Sequence, residues 1–102
     1  TALPPPDPRD FGIGGADREW MLRRRVPPPF GMYRVPLQFD GERWVRVPRT
    51  FIDCNRPAYP TIDAMRTRVR EQPGWRVVEI ATGHCPMVST PAELTVHLLA
   101  CA

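Results

Sequence analysis

Lysine is absent from this sequence of 102 residues, so all 14 basic residues are arginine. The 11 acidic residues dilute them to a formal net charge of +3, and only Arg23-Arg24-Arg25 forms a basic run. A short basic run is commonly a solvated helix face or loop. Phosphate recognition instead needs a clustered basic surface. We therefore expect no nucleic-acid partner.

Cysteine pairs and long apolar runs are also missing. Cys54, Cys85 and Cys101 are odd in number and lack CxxC spacing, so the sequence indicates neither a disulfide framework nor a zinc site. We expect free thiols in a reducing compartment, with no metal and no cofactor. No apolar run approaches the length of a bilayer span, and the N-terminus lacks a signal-peptide pattern. A cytoplasmic protein without membrane contact is predicted.

Proline is plentiful instead, with 14 residues concentrated in the first half. Residues 1–14 are rich in Pro, Asp and Gly, which predicts an arm of little intrinsic structure that a partner surface must hold if it is ordered. From Ala16 to before Pro27, early acids and late arginines predict a short helix. Residues 30–48 carry a turn signal at 39–42, which predicts irregular or short hairpin-like backbone.

The second half alternates strand and helix patterns. Residues 50–54 and 75–81 are β-prone runs, and residues 61–72 between them have one apolar stripe, formed by Ile62, Met65 and Val69. Thr61 is the predicted N-cap of that helix. A capping box of Thr90 and Glu93 predicts a final helix. This alternation predicts parallel strands and an α/β fold.

Two parallel strands and two helices cannot cover both faces and both edges of a sheet. The Pro-rich first half is a poor source of further strands. The fold is therefore expected to be incomplete without strands from a partner chain, a second copy or another segment.

His84 follows the second predicted strand in a glycine-containing loop, where open α/β sheets place their active sites. An imidazole there can act as a general base and then as a general acid. Position alone equally allows a turn histidine that hydrogen-bonds to backbone. His97 lies within the last helix, and a partly buried structural role is predicted for it.

Two stretches carry a family resemblance: PRTFIDCNRPAYP and QPGWRVVEIATGHCPMVSTPAEL. They resemble the tail of bacterial α/β-fold hydrolases related to plant methyl esterases and hydroxynitrile lyases. The resemblance implies that residues 48–102 are the C-terminal part of the hydrolase core, with its last two strands. It implies that residues 1–47 are a cap-like and connecting segment. His84 then corresponds to the histidine of a Ser-His-Asp triad.

The nucleophile and the acid of that triad are not in evidence. The family's G-x-S-x-G elbow is missing, and Ser89 is the only serine. Relatives commonly carry Asp where this chain has Arg56, which cannot accept a hydrogen bond from an imidazole. Asp53, Asp63 or an acid upstream remain the alternatives. Cys85 beside His84 is predicted to fill space rather than attack a substrate.

The resemblance also suggests which side chains contact substrate. Trp20, Phe30, Tyr33 and Met87 are the predicted pocket residues, and their apolar character suits a small hydrophobic ester. The predicted function is that of a C-terminal piece of a serine-type esterase, acting with an N-terminal hydrolase segment on another chain or as a homo-oligomer. The alternative is a non-catalytic hydrolase-like protein or interaction subunit that has lost the triad acid.

Overall fold

A computed structural model describes residues 2–102. The regular elements, in chain order, are helix α1 (Gly15–Arg24), helix α2 (Gly41–Arg46), strand β1 (Arg49–Cys54), helix α3 (Asp63–Glu71), strand β2 (Trp75–Ile80), helix α4 (Pro86–Ser89) and helix α5 (Pro91–Ala100). Short 3-10 turns cover Pro8–Phe11, Phe30–Tyr33 and Pro60–Ile62. None of the helices within residues 2–102 is long and apolar enough to cross a membrane.

The two strands form a parallel pair, in register from Arg49 opposite Trp75 to Cys54 opposite Ile80. The prediction of two parallel strands with a helix between them is confirmed. A parallel pair connected through a helix is compatible with an α/β fold. Within residues 2–102 the sheet has these two strands.

The buried core is small and is formed by Val69 of α3, by Cys54 and Ile80 at the paired ends of the two strands, and by Ile13 of the arm. Ile80 and Val69 are 0% and 1% exposed, and Cys54 at the end of β1 is also buried. Ile62 and Met65, the other members of the predicted apolar stripe, are half-buried. Residues three and four apart share one helix face, which explains why this stripe meets the sheet.

Arg66 shares that buried face, although the helical pattern placed it among the solvated arginines. Its side chain lies between α3 and β1 and is paired with Asp53, which is 4% exposed. A long charged side chain can pack beneath the surface when its charge is matched. The spacing of apolar residues along a helix predicts only which apolar side chains are buried, so it could not predict this buried ion pair.

Two predicted helix starts differ in detail. Thr61 lies within the 3-10 turn Pro60–Ile62, and Ile62 occupies the N-cap of α3 without a side-chain cap. Thr90 is the N-cap of α5, as predicted, but its hydroxyl donates to the carbonyl of Pro86 instead of capping the helix. The competing acceptor belongs to α4, a short helix that was not predicted.

Residues 30–48 were expected to be irregular or short hairpin-like. They contain the 3-10 turn Phe30–Tyr33 and helix α2 with irregular backbone between them, so the hairpin is wrong and the irregular backbone is confirmed only outside those two elements. Asp40 accepts hydrogen bonds from the backbone N–H groups of Glu42 and Arg43, which starts α2 at the predicted turn signal. Every residue from 30 to 47 is exposed. The segment reaches the sheet through Trp44, whose ring meets Trp75 edge-on, with the Arg49 guanidinium over both rings.

The N-terminal arm packs on this chain's own surface. Asp7 caps the turn Pro8–Phe11 through the N–H of Arg9 and accepts two hydrogen bonds from Arg18 on α1, at 2.9 and 2.7 Å. These contacts hold the pKa of the Asp7 carboxyl well below its usual range, chiefly through Arg18. Pro8 and Ile13 are buried. A partner surface was expected to hold the arm, but in this structure the arm packs on this chain's own loops after the two strands.

Candidate active site

His84 lies four residues beyond the end of β2, at the carboxyl edge of the parallel pair. The carboxyl ends of parallel strands meet at one edge, so the loop after β1, which contains Tyr59, lies there too. The N–H of His84 donates to the carbonyl of Phe11 at 3.1 Å. Three chain segments therefore converge on this histidine.

The imidazole packs against two aromatic rings. Its centroid is 4.5 Å from that of Tyr59 and 5.2 Å from that of Phe11, with interplanar angles of 34° and 44°. The rings of Phe11 and Tyr59 also contact each other, with centroids 5.0 Å apart. All three separations lie in the favourable range for aromatic pairs. His84 is half-buried in this cluster.

Two glycines permit the close approach of the arm. A Cβ on Gly83 would overlap the carbonyl oxygen of Phe11, and a Cβ on Gly12 would overlap the ring of Pro57. Gly12 also has φ +77°, in the left-handed region that favours glycine. The sequence flagged Gly83 only as part of a loop. Its contact partner is more than 70 residues away by number, so no local pattern could reveal it.

The acids considered for the triad are engaged elsewhere. Asp53 accepts from Arg66 Nε at 2.6 Å and from Arg70 Nη2 at 2.7 Å. Burial raises the pKa of the Asp53 carboxyl, but the hydrogen bonds from Arg70 and Arg66 outweigh it, and the net pKa is lowered. Asp63 is exposed and bonds to Arg66. Within residues 2–102 no carboxylate hydrogen-bonds to His84.

Arg56, in the position where the resemblance implied an Asp, has an exposed side chain. Its backbone N–H donates to the carbonyl of Thr82 at 2.9 Å, which joins the loops after β1 and β2. The backbone at this position therefore holds the two loops together at the carboxyl edge of the strand pair. The side chain offers no acceptor to His84.

Arg66 is the residue that sequence reasoning missed. Its guanidinium binds the Asp53 carboxylate, the carbonyl of Cys54 at 2.9 Å and the carbonyl of Tyr59 at 3.3 Å. One side chain thus connects the end of β1 to the loop that carries the Tyr59 ring. A planar guanidinium with five donors suits this role better than an ammonium group.

The hydroxyl and thiol near His84 are not poised as nucleophiles. Burial raises the pKa of the Cys85 thiol, which favours the unreactive protonated form. The Ser89 hydroxyl pairs with that of Thr82 and also donates to the Cys85 carbonyl. In the part of the chain that the structure describes, neither side chain hydrogen-bonds to His84. Within residues 2–102 no group of three His, Cys, Asp or Glu side chains is placed to hold a metal ion.

Two of the four predicted pocket residues line one groove. Trp20 from α1 and Met87 from α4 face an open groove of about 350 Å³, together with Asp17, Arg23 and Val88. Phe30 and Tyr33 lie on the exposed 3-10 turn and do not line this groove. His84 does not line this groove; its connection to the groove is along the chain, since α4, which contributes Met87 and Val88, begins two residues after the histidine. His97 is half-buried on α5.

Comparison with known proteins gives a distant hydrolase relationship. No family model matches the chain, and no solved structure matches it significantly. Residues of this chain are 30% identical over 90 positions to the carbendazim hydrolyzing esterase of Nocardioides sp. (strain SG-4G). The aligned region covers 88% of this chain and 37% of that esterase. The chain thus spans little more than a third of this relative, and the match supports a hydrolase-like character.

Proposed function

We propose that this chain supplies the proton-transferring histidine and part of the substrate groove of a carboxylic ester hydrolase. The observation that carries the proposal is the position of His84 at the carboxyl edge of a parallel strand pair, where two loops and the arm converge. The distant similarity to an esterase supports the same class of reaction. Structure and similarity thus favour acyl transfer over other chemistry.

In this proposal His84 removes the proton from an attacking hydroxyl group as that oxygen bonds to the ester carbonyl carbon. The proton then passes to the oxygen of the departing alcohol as the bond between that oxygen and the former carbonyl carbon breaks and the C=O bond re-forms. Water repeats the sequence to release the acid. The hydroxyl nucleophile and the orienting carboxylate come from an N-terminal hydrolase segment outside residues 1–102, on another chain or on the same longer chain.

The groove between α1 and α4 is the proposed binding place for the ester. Trp20, Met87 and Val88 provide apolar contacts, while Asp17 and Arg23 add charges. Sites for small molecules commonly combine an apolar lining with a few polar groups. We infer a small hydrophobic ester as substrate. Carbendazim, which the relative's name gives as its substrate, is one compound to assay.

The test is hydrolysis by the longest product that the surrounding coding sequence specifies, or by this chain together with any polypeptide that co-purifies with it. Carbendazim and short p-nitrophenyl esters serve as substrates. His84→Gln should lower kcat by about 10²- to 10⁴-fold, the usual contribution of a general acid and base. His97→Gln is the matched control, because this histidine lies on α5 and its change should leave kcat unaltered.

Two results would overturn the proposal. One is hydrolysis that survives His84→Gln unchanged. The other is full, cooperative folding and esterase activity by residues 1–102 alone, since the nucleophile is proposed to lie elsewhere.

A second candidate is a non-catalytic hydrolase-like subunit. The observation that favours it is the exposed Arg56 where relatives commonly have Asp, together with the exposed apolar side chains of residues 30–47. This alternative predicts that the complete assembly binds a protein partner but hydrolyses none of the esters. An intact G-x-S-x-G elbow and an available Asp in the upstream coding sequence would favour the enzyme instead.

A further inference from the structure

We propose that Tyr59 and Phe11 are positioning residues that hold the imidazole of His84 in one plane at the carboxyl edge of the sheet. That this positioning matters for hydrolysis rests on the proposed function. That the two rings hold the imidazole in place is argued from the aromatic cluster alone.

The three rings form a closed triangle. Each ring contacts both others, with centroids 4.5, 5.0 and 5.2 Å apart. Rotation of the imidazole about its side-chain bonds would break its contacts with Tyr59 and with Phe11 together. An aromatic pair is a directional contact, so two such pairs restrict the ring plane more than a single apolar neighbour does.

Each corner of the triangle is fixed by its backbone. The N–H of His84 binds the Phe11 carbonyl, and the Tyr59 carbonyl accepts from Arg66. Arg66 is itself held by the buried Asp53. The aromatic cluster is thus connected to the sheet and to α3 through these backbone hydrogen bonds and through the Arg66–Asp53 pair.

Among residues 2–102, neither imidazole nitrogen of His84 hydrogen-bonds to another protein group, so both nitrogens stay available beside the two tilted ring contacts. Both nitrogen atoms lie in the ring plane, where they exchange protons and accept or donate hydrogen bonds. Tyr59 and Phe11 can therefore hold the ring without occupying the atoms that the reaction uses. This distinguishes positioning from a structural role in which the nitrogens are consumed by backbone contacts.

The first test uses NMR and chemical modification of the longest product that the surrounding coding sequence specifies, or of this chain together with any polypeptide that co-purifies with it. In the unmodified protein, nuclear Overhauser effects should join the ring protons of His84 and Tyr59, and the His84 Cε1–H resonance should lie upfield of that of His97. Tyr59→Leu keeps a bulky apolar group but removes the ring. This change should abolish the upfield shift and accelerate diethylpyrocarbonate modification of His84 by about 2- to 10-fold, the range expected for losing an aromatic pair.

Tyr59→Phe is the matched control, since it keeps the ring and should preserve the wild-type shift and modification rate. His97 is the internal reference and should react equally in all variants. Absence of the ring-to-ring Overhauser effects in the unmodified protein overturns the inference, and that measurement requires no variant to fold. A folded Tyr59→Leu protein with an unchanged His84 resonance also overturns it.

Hydrolysis by the complete assembly separates this inference from the proposed function. Tyr59→Leu should lower kcat by a similar factor and leave KM within about twofold, with rescue in Tyr59→Phe. If His84→Gln abolishes hydrolysis while Tyr59→Leu leaves kcat unchanged, the positioning role is wrong and the proposed function stands. If the Overhauser effects are present but hydrolysis does not depend on His84, the proposed function is wrong and the aromatic geometry stands.

Discussion

Residues 30–47 and residues 49–86 contain similar kinds of side chain but differ in burial. Both have large apolar residues, yet every residue of the first segment is exposed, whereas the second contains Cys54, Val69 and Ile80 in the core. The second segment has strands and a helix whose apolar faces meet. The first has only short helical turns. Apolar composition therefore does not produce burial until regular elements bring the side chains into register.

The exposed apolar side chains of residues 30–47 include Leu37, Phe39 and Trp44, which line one shallow apolar groove. Exposed apolar patches commonly mark surfaces that contact other molecules. This fits the proposal that the hydrolase is completed by further polypeptide. If these side chains become buried when the complete hydrolase assembles, the segment 30–47 differs from the segment 49–86 in needing further polypeptide for its burial.

The largest expected effect comes from a core truncation. Ile80→Ala should lower the free energy of unfolding by about 4 kcal/mol, because it removes a fully buried side chain and leaves a cavity. Leu37→Ala, at a side chain that is 82% exposed, is the control and should change it by less than about 0.5 kcal/mol. Urea denaturation measures both values. Equal losses would contradict the distinction between the segments.

Breaking the buried ion pair should cost less. Asp53→Asn leaves Arg66 without its charged partner and should lower the free energy of unfolding by about 3 kcal/mol. The arginines lower the folded-state pKa of Asp53, so its stabilisation is complete above the unfolded pKa near 4 and is lost as the pH falls below that value.

Denaturation between pH 7 and pH 3 tests this dependence. The parent protein should lose stability below about pH 4, and Asp53→Asn should show a smaller loss over the same range. Asp17→Asn, on an exposed part of α1, is the control. An unchanged pH profile in Asp53→Asn would show that this pair does not stabilise the fold.

Detaching the arm is expected to have an intermediate effect. Gly83→Ala places a methyl group against the Phe11 carbonyl and should cost about 2 kcal/mol while accelerating trypsin cleavage after Arg9. Gly31→Ala meets nothing within 4 Å and is the matched control. Unchanged cleavage in Gly83→Ala would contradict the packing of the arm on the site loops.

The smallest effect should come from the exposed segment. Asp40→Ala removes the N-cap of α2, which is worth about 1 kcal/mol to the local helix. Because no residue of α2 is buried, we expect a small loss of helical circular dichroism and little change in the unfolding midpoint. Glu42→Gln leaves the cap in place and serves as the control. If Asp40→Ala lowered the free energy of unfolding as much as Ile80→Ala does, the conclusion that α2 lies outside the core would be wrong.

The sequence predicted the strands, α1, α3 and α5 because their patterns are local. The apolar stripe of α3 and the proline and glycine after it are readable within a dozen residues. The position of His84 followed from strand order, while its catalytic role remains a prediction. The aromatic cluster could not be predicted, because Phe11, Tyr59 and His84 come from distant segments. The Arg66–Asp53 pair was hidden because charge usually indicates a solvated face.

The indole–guanidinium contact at the start of the sheet has a practical consequence. Trp44 on exposed α2 and Trp75 on β2 are two of the three tryptophans, with ring centroids 6.5 Å apart. Neighbouring indoles in a fixed orientation give a near-ultraviolet circular dichroism signal that disappears when they separate. Release of α2 from the sheet can therefore be observed optically, at a denaturant concentration where the far-ultraviolet signal still reports an intact core.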